Sequence, residues 1–200
     1  MADNIAITAG TGTTVATDDI GGVHFERVKL IYGADGTNDG DVATTNPLPV
    51  AGPGGIIIAV APTVTAGAYS AKDAVGGEMT FANAVRASAG TAILNTVTII
   101  DKSQAAAGLE LWLFHTTITE AADNAAFDIS DAELATCVGV VPISTADYYQ
   151  IADNEVACVR GVGLEFKCAA TSLFAQLKCT GTPTYASTSD LTVVLGIEYL

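Results

Sequence analysis

The sequence has little positive charge. Only 8 of its 200 residues are Lys or Arg, against 22 Asp or Glu, which gives a formal net charge of -14. Nucleic-acid phosphates are bound by basic side chains that neutralise them, so this balance argues against a nucleic-acid partner. The same excess of acidic groups disfavours an anionic membrane surface as a partner.

Long apolar segments are also scarce. The longest strongly apolar run covers residues 56–61, far short of the roughly 20 residues that a membrane-spanning helix needs. The first four residues lack the basic start and the apolar stretch of a secretory signal. We therefore expect a soluble product made in a cytoplasm, with no membrane partner.

Residue types that carry catalysis or bind metals are few. Histidine occurs only as His24 and His115, and neither has a sequence signature linking it to a Ser or Cys nucleophile. The cysteines are Cys137, Cys158, Cys168 and Cys179. No two of them have the close spacing of a zinc or redox site, so free buried thiols are expected, with disulfides within or between chains as the alternative. We predict no catalytic residue, no metal site, no cofactor and no enzymatic activity.

Three other patterns have residues that a functional site could use. The oxygen-rich run 35–41 resembles a calcium loop, but Asn46 stands where a bidentate Glu is expected, so a solvated turn is favoured. The glycine clusters at 10–12 and 52–55 lack the lysine of a phosphate cradle. Asp123 and Asp128 could in principle do acid-base chemistry, but solvated turn residues are the simpler interpretation.

The chain is poor in large aromatic residues, with one Trp, 6 Tyr and 6 Phe. Such a composition favours a thin, close-packed core between two β layers. Short apolar runs rich in Thr, Val and Ile recur between turn signals, and they predict eight strands. These are residues 56–60, 78–81, 93–101, 109–115, 138–143, 157–168, 172–180 and 191–199. The expected fold class is all-β, a jelly-roll-like antiparallel β-sandwich with one short helix and an extended N-terminal arm.

The short helix is predicted from a capping-box pattern. Ser130 can accept an amide hydrogen bond while Glu133 reaches back, and Leu134, Cys137 and Val138 would form the buried stripe. In the strand 109–115, Trp112 and Phe114 alternate with leucines, which is typical of a strand buried on both faces. An aromatic platform for carbohydrate is the alternative interpretation of these two residues.

The first fifty residues are interpreted as an assembly arm. Residues 23–30 alternate as a single strand, which would be isolated and must therefore join another sheet. Three prolines at 46–53 predict a semi-rigid connector, so residues 1–50 form the arm and 51–200 the β-sandwich domain. The expected partner-binding residues of the arm are Val23, Phe25, Arg27, Val28, Lys29, Leu30, Pro47 and Pro49.

Several segments also carry a family resemblance. TDDIGGVHFERVKL (17–30), GADG (33–36) and NPLPV (46–50) resemble the opening of a group of tailed-bacteriophage virion proteins. The segments YSAKDAVGGEMTFANA (69–84), DNAAF (123–127) and TSDL (188–191) are also similar to that group, so the likeness covers most of the chain.

The resemblance implies a virion structural protein, with a capsid decoration or cement protein as the favoured role. Such a protein self-associates and clamps neighbouring major capsid subunits, so its expected partners are the major capsid protein and copies of itself. It would be synthesised in the host bacterial cytoplasm and reside on the capsid surface. A tail, baseplate or head-fibre component with a carbohydrate-binding sandwich is the alternative, and a hydrolase is a third.

Overall fold

A computed structural model of the protein describes residues 17–26 and 54–200, with the side chains of 20–23 and of 54–200. The chain divides into two units, Met1–Ala51 and Gly52–Leu200. The first unit contains β1 (Thr17–Ile20) and β2 (Val23–Glu26). The second unit contains β3 (Gly55–Val60), β4 (Gly67–Ala68), β5 (Ala74–Phe81), β6 (Thr91–Asp101), β7 (Leu109–Phe114), α1 (Asp131–Leu134), β8 (Cys137–Ile143), a 3-10 turn (Thr145–Asp147), β9 (Tyr148–Ile151), β10 (Asn154–Lys167), β11 (Leu173–Cys179), β12 (Thr184–Tyr185) and β13 (Leu191–Tyr199).

The second unit is a sandwich of two antiparallel sheets. One has the strand order β3-β13-β6-β10-β9 and the other β5-β11-β7-β8, while β4 and β12 form a separate two-stranded ladder. The pairing is nested, because β3 pairs with β13, β5 with β11, β6 with β10 and β7 with β8. A ribbon of strands folded over in this way is a jelly roll, so the predicted fold class is confirmed.

The core lies between the inward faces of the two sheets. Alternate residues of each strand point inward and form this core. In β13 the buried residues are Leu191, Val193, Leu195 and Ile197, and the residues between them are not buried. The opposite sheet contributes Leu109, Leu111 and Leu113 of β7 and their neighbours on β11. Each such aliphatic side chain contributes about 1.5–3 kcal/mol on burial, so the alternating pattern itself holds the layers together.

All eight predicted strands are present, with ends that differ by a few residues. β5 starts at Ala74 rather than at residue 78, and β10 starts at Asn154 rather than at 157. The strands β4, β9 and β12 were not predicted. They have two to four residues, too few to display an alternating pattern.

The helix forms where the capping box predicted it, but the prediction that Leu134, Cys137 and Val138 form its buried face is wrong. Ser130 Oγ accepts from the backbone N–H of Glu133, and Glu133 Oε2 accepts from that of Ser130, both at 3.3 Å. The helix ends after one turn, at Leu134, whose side chain is 41% exposed. Cys137 and Val138 belong instead to β8, because the chain at Cys137 begins to pair with β7.

The outer edge of β5 is closed by the loop between β7 and α1. Ala74 accepts from the backbone of Asn124 at 2.9 Å and donates to Ala125 at 2.7 Å. Further along, the backbone N–H of Gly76 donates to Asp123 Oδ1 at 2.6 Å. This loop satisfies edge groups that would otherwise be open to another strand.

Candidate functional site

The described part of the arm is a β-hairpin, whereas the sequence predicted a lone strand over 23–30. β1 and β2 pair from Thr17 opposite Glu26 to Ile20 opposite Val23. Gly21 and Gly22 make the turn with φ of 64° and 84°. Positive φ at both positions is what a two-residue type I′ turn requires, and glycine adopts it without steric cost.

This hairpin presents an apolar pair to solvent. Ile20 and Val23 lie directly opposite each other beside the turn, and they are 63% and 45% exposed. A hairpin of this size is marginally stable in water by itself, so covering this face would stabilise it. The backbone of Phe25 pairs with that of Asp18, while Arg27, Val28, Lys29, Leu30, Pro47 and Pro49 lie outside the described residues.

In the second unit, a groove runs over the outer face of the larger sheet beside its edge strand β3. Gly196 of β13 lies between Ile57 of β3 and Thr96 of β6. A Cβ atom on Gly196 would come within 2.3 Å of Thr96 Oγ1, so the Thr96 side chain lies against Gly196 and a larger residue does not fit there without a shift. The groove has a volume of about 540 Å³, and Asn95 bonds Glu198 beside it at 3.0 Å.

Two neighbouring rows of this outer face contain no charged side chain, and Arg160, opposite Thr96, lies in the row next to them. Two rows of side chains cross the sheet through directly opposed residues. They are Ala59, Val194, Thr98 and Cys158, and Thr192, Ile100, Val156 and Tyr149. These two rows are therefore built from small, β-branched and aromatic side chains, although the chain as a whole is strongly acidic.

Asp123 is a structural residue rather than half of an acid-base pair. Its carboxylate accepts hydrogen bonds from Thr65 Oγ1 at 2.6 Å, from Tyr69 Oη at 2.7 Å and from the backbone of Gly76. Asp128 is exposed, as a solvated turn residue would be. The three donors engage both oxygens of the Asp123 carboxylate and hold it in place.

Asp101 and Glu155 form a buried carboxyl pair that sequence reasoning missed. They lie directly opposite each other on β6 and β10, with 1% and 0% of their surface exposed. Asp101 accepts from the backbone of Ser103 at 2.8 Å and of Ala105 at 3.1 Å, and Glu155 Oε1 accepts from that of Ala106. Glu155 Oε2 has no hydrogen-bond partner in the described part of the chain.

Desolvation dominates the electrostatics of this pair. Burial raises the pKa of both carboxyl groups, and the neighbouring Asp101 charge raises the pKa of Glu155 further. The backbone donors to each carboxylate oppose the shift. Because both side chains are closed off from solvent, the pair organises the loop after β6 and is not accessible to a substrate.

Trp112 does not form an open platform for carbohydrate. Its ring centroid lies 5.3 Å from that of Phe127 and 5.7 Å from Lys178 Nζ. Its indole N–H donates to Glu110 Oε2 at 3.0 Å. Phe114 is fully buried in a second small apolar cluster with the Trp112 side chain packed against it, whereas Glu110 and Trp112 are half-buried. The predicted burial on both faces therefore holds at Phe114 and is only partial along the rest of β7.

All four cysteines are free thiols. Cys168 and Cys179 are buried, and burial raises the pKa of each, that of Cys168 to about 11. Cys158 lies half-buried on the outer sheet face, with its Sγ 3.4 Å from Arg160 Nε. The hydrogen bond from Arg160 lowers the pKa of the Cys158 thiol.

The remaining candidates add no chemical site to the described residues. His115 is half-buried at the end of β7, and its backbone bonds Thr136 and Ala169. Across 17–26 and 54–200, no group of three or more His, Cys, Asp or Glu side chains could hold a metal ion. The calcium-like run 35–41 and most of the glycine clusters lie outside these ranges. No helix within them is long and apolar enough to cross a membrane.

Fold and surface together define a class: an all-β jelly-roll sandwich preceded by an apolar hairpin. No protein-family model matches the chain, and no curated protein matches it significantly. The functional argument therefore depends on the geometry of the described residues and on the resemblance of the segments quoted above.

Proposed function

We propose that this chain is a structural protein of a tailed-bacteriophage particle, acting as a capsid decoration or cement protein. It binds the major capsid protein and copies of itself, and it performs no catalysis. The segment resemblance supports the phage particle as its setting. A jelly-roll sandwich is a fold that viral shell proteins use, which supports the structural role as an analogy.

The observation that carries the proposal is the exposed apolar pair of the hairpin. Ile20 and Val23 face solvent together at the turn between β1 and β2. Burying two such side chains against a partner contributes about 2–3 kcal/mol, given that each is already partly covered. Further main-chain hydrogen bonds follow if the partner adds a strand to the hairpin, a common mode of β recognition.

The hairpin contact can be tested in the full-length chain. Replacing both residues, Ile20→Asp with Val23→Asp, would put two carboxylates where the partner is expected to bury apolar surface. At a fixed protein concentration, incorporation into the particle should fall about tenfold or more. The measurement is the amount of protein bound to purified particles that lack it.

A matched control carries Ala170→Asp with Thr182→Asp, two exposed positions of the second unit. This variant has the same added charge and should bind as the unaltered chain does. If the hairpin variant and its control bound equally well, the hairpin would not be the attachment element and the proposed role would lose its main support.

A further inference from the structure

The loop 102–108, between β6 and β7, has a strained backbone. Gln104 and Ala106 have φ of 53° and 41°, in the left-handed region that residues with a Cβ atom rarely adopt. Such a conformation persists where the surrounding contacts hold it in place. In this loop, three of those contacts end on the buried pair Asp101 and Glu155.

The two carboxyl groups accept hydrogen bonds from the backbone of the loop. The N–H groups of Ser103 and Ala105 donate to Asp101 at 2.8 and 3.1 Å, and that of Ala106 donates to Glu155 Oε1. Because β6 and β10 hold the two acidic residues directly opposite each other, one buried pair fixes the middle of the loop.

The same loop also holds the end of the edge strand β9. Gln104 Nε2 donates to the carbonyls of Ile151 at 3.2 Å and Ala152 at 2.9 Å. Tyr148 Oη donates to the carbonyl of Ala107 at 3.0 Å. β9 pairs with β10 over four residues, so opening the loop would loosen this edge of the sheet as well.

The pair is satisfied when it carries one proton. Glu155 Oε2 is buried and has no partner in the described part of the chain, while the two carboxyl groups are within hydrogen-bonding reach of each other. Two buried carboxylates side by side repel each other, whereas a shared proton removes one charge and gives Oε2 a partner. Burial is the main cause that raises the pKa of both groups. The closed loop therefore favours the singly protonated pair.

Several other ionisable groups surround the pair. They are Lys102 of the loop itself, Asp147 of the 3-10 turn, Tyr148 of β9, Tyr185 of β12 and Asp190 before β13. Burial, together with the Asp101 carboxylate, raises the pKa of both tyrosines, so they stay neutral. Burial acts against the charge of Asp190, but hydrogen bonds from Ser103 and from the backbone of 186–187 lower its pKa overall, so it stays ionised. Neither the tyrosines nor Asp190 can therefore account for a titration here above about pH 5.

We propose that Asp101 and Glu155 share one proton and that this proton is a pH-sensitive switch, which keeps the loop 102–108 closed. When the proton leaves, two buried negative charges face each other, and the strained loop opens to hydrate them while the sandwich stays folded. The open pair loses its protons at about pH 4 to 4.5, and the closed pair keeps one to higher pH. The closed loop is therefore most stable in acid, and its stability falls as the pH rises through the raised pKa values.

Amide hydrogen exchange in the full-length chain measures this opening. The protection factors of Ser103, Ala105 and Ala106, corrected for the intrinsic pH dependence of exchange, should fall at least about tenfold between about pH 5 and pH 8. Release of one proton changes the opening equilibrium by up to about tenfold per pH unit, which sets this scale. The amide of Leu111, on a strand paired on both sides, should stay more protected at every pH because the opening is local.

Two variants remove the proton from the pair. In Glu155→Gln the amide keeps an acceptor for Ala106 and places a permanent donor where Oε2 has no partner, so loop protection should be the same at about pH 5 and pH 8. Asp101→Asn should also abolish the pH dependence, with lower protection throughout because one of its two acceptors is lost. The matched control Glu165→Gln, at an exposed position of β10, should keep the pH-dependent fall.

Three results would overturn the proposal. The first is loop protection that does not change with pH, or that changes equally in Glu155→Gln. The second is loop amides as protected as that of Leu111, since the loop would then open only when the whole domain unfolds. The third is loop protection that rises with added Ca²⁺ and falls on chelation, because a cation rather than a proton would then neutralise the pair.

Discussion

At the scale of single residues, the buried pair Asp101 and Glu155 has the clearest consequence. A charged carboxylate in the core is costly, so the folded pair retains a proton at pH values where the unfolded carboxyls have lost it. The folded state then binds more protons than the unfolded state. The free energy of unfolding therefore falls as the pH rises from about 4 through the raised pKa values.

The substitution Glu155→Gln tests whether the buried carboxyl pair lowers the free energy of unfolding as the pH rises. The amide keeps an oxygen for the backbone of Ala106 and adds a donor where Oε2 has no partner, without a charge to bury. The variant should be more stable than the unaltered chain by about 1 kcal/mol at about pH 8, and the difference should vanish near about pH 4. Thermal unfolding across this pH range measures it.

The control is Glu165→Gln, at an exposed position of the same strand. It should leave the pH dependence of unfolding unchanged. A Glu155→Gln chain that was destabilised equally at all pH values would mean that the carboxyl pair carries no extra proton.

Sequence reasoning had a usable signal for this pair. Glu155 and Asp101 occupy inward positions of alternating strands, where charged residues are unusual. Their proximity could not be predicted, because it depends on the register between β6 and β10, which are far apart in the chain. Contacts between two such residues depend on which strands pair in the folded chain, so they cannot be predicted from the local sequence pattern.

At the scale of elements, the closed edge of β5 depends on Asp123. Asp123→Ala removes the acceptor for Thr65, Tyr69 and the backbone of Gly76 together. We expect a loss of about 2–3 kcal/mol in the free energy of unfolding, since several partly buried donors lose their partner. Faster hydrogen exchange of the Gly76 amide would show that the edge has opened.

Asp128→Ala, in the same loop but exposed, is the matched control and should cost less than about 0.5 kcal/mol. Similar losses for the two variants would contradict the role assigned to Asp123. Because an opened β5 edge could pair with other chains, the Asp123 variant is also expected to aggregate more readily on heating.

The strands and the helix that have a clear local sequence pattern could be predicted from the sequence. The strands of the sandwich alternate because one face of each meets the core, and the capping box at Ser130 specifies a helix start. The hairpin was missed because β1 reads TDDI, whose two aspartates hide the strand pattern. Gly21 and Gly22 between two short runs were the available signal, since paired glycines are typical of a hairpin turn.

At the scale of the whole molecule, the fold and the surface support a part in an assembly. The jelly roll buries its apolar residues between two sheets and keeps Ile57 and the hairpin pair at the surface. The carboxylates of Asp123, Asp101 and Glu155 hold loops or strand edges in place. Partner identity is a property of complementary surfaces on another molecule, so one sequence cannot specify it.

The measurement that tests the central claim most directly is the copy number of this chain in purified virions, determined by quantitative mass spectrometry against the major capsid protein. A decoration or cement protein should be present at on the order of hundreds of copies, in a fixed ratio set by the capsid symmetry. About a dozen copies or fewer would place it in the tail or at a vertex instead. Its absence from purified virions would contradict a structural role in the particle.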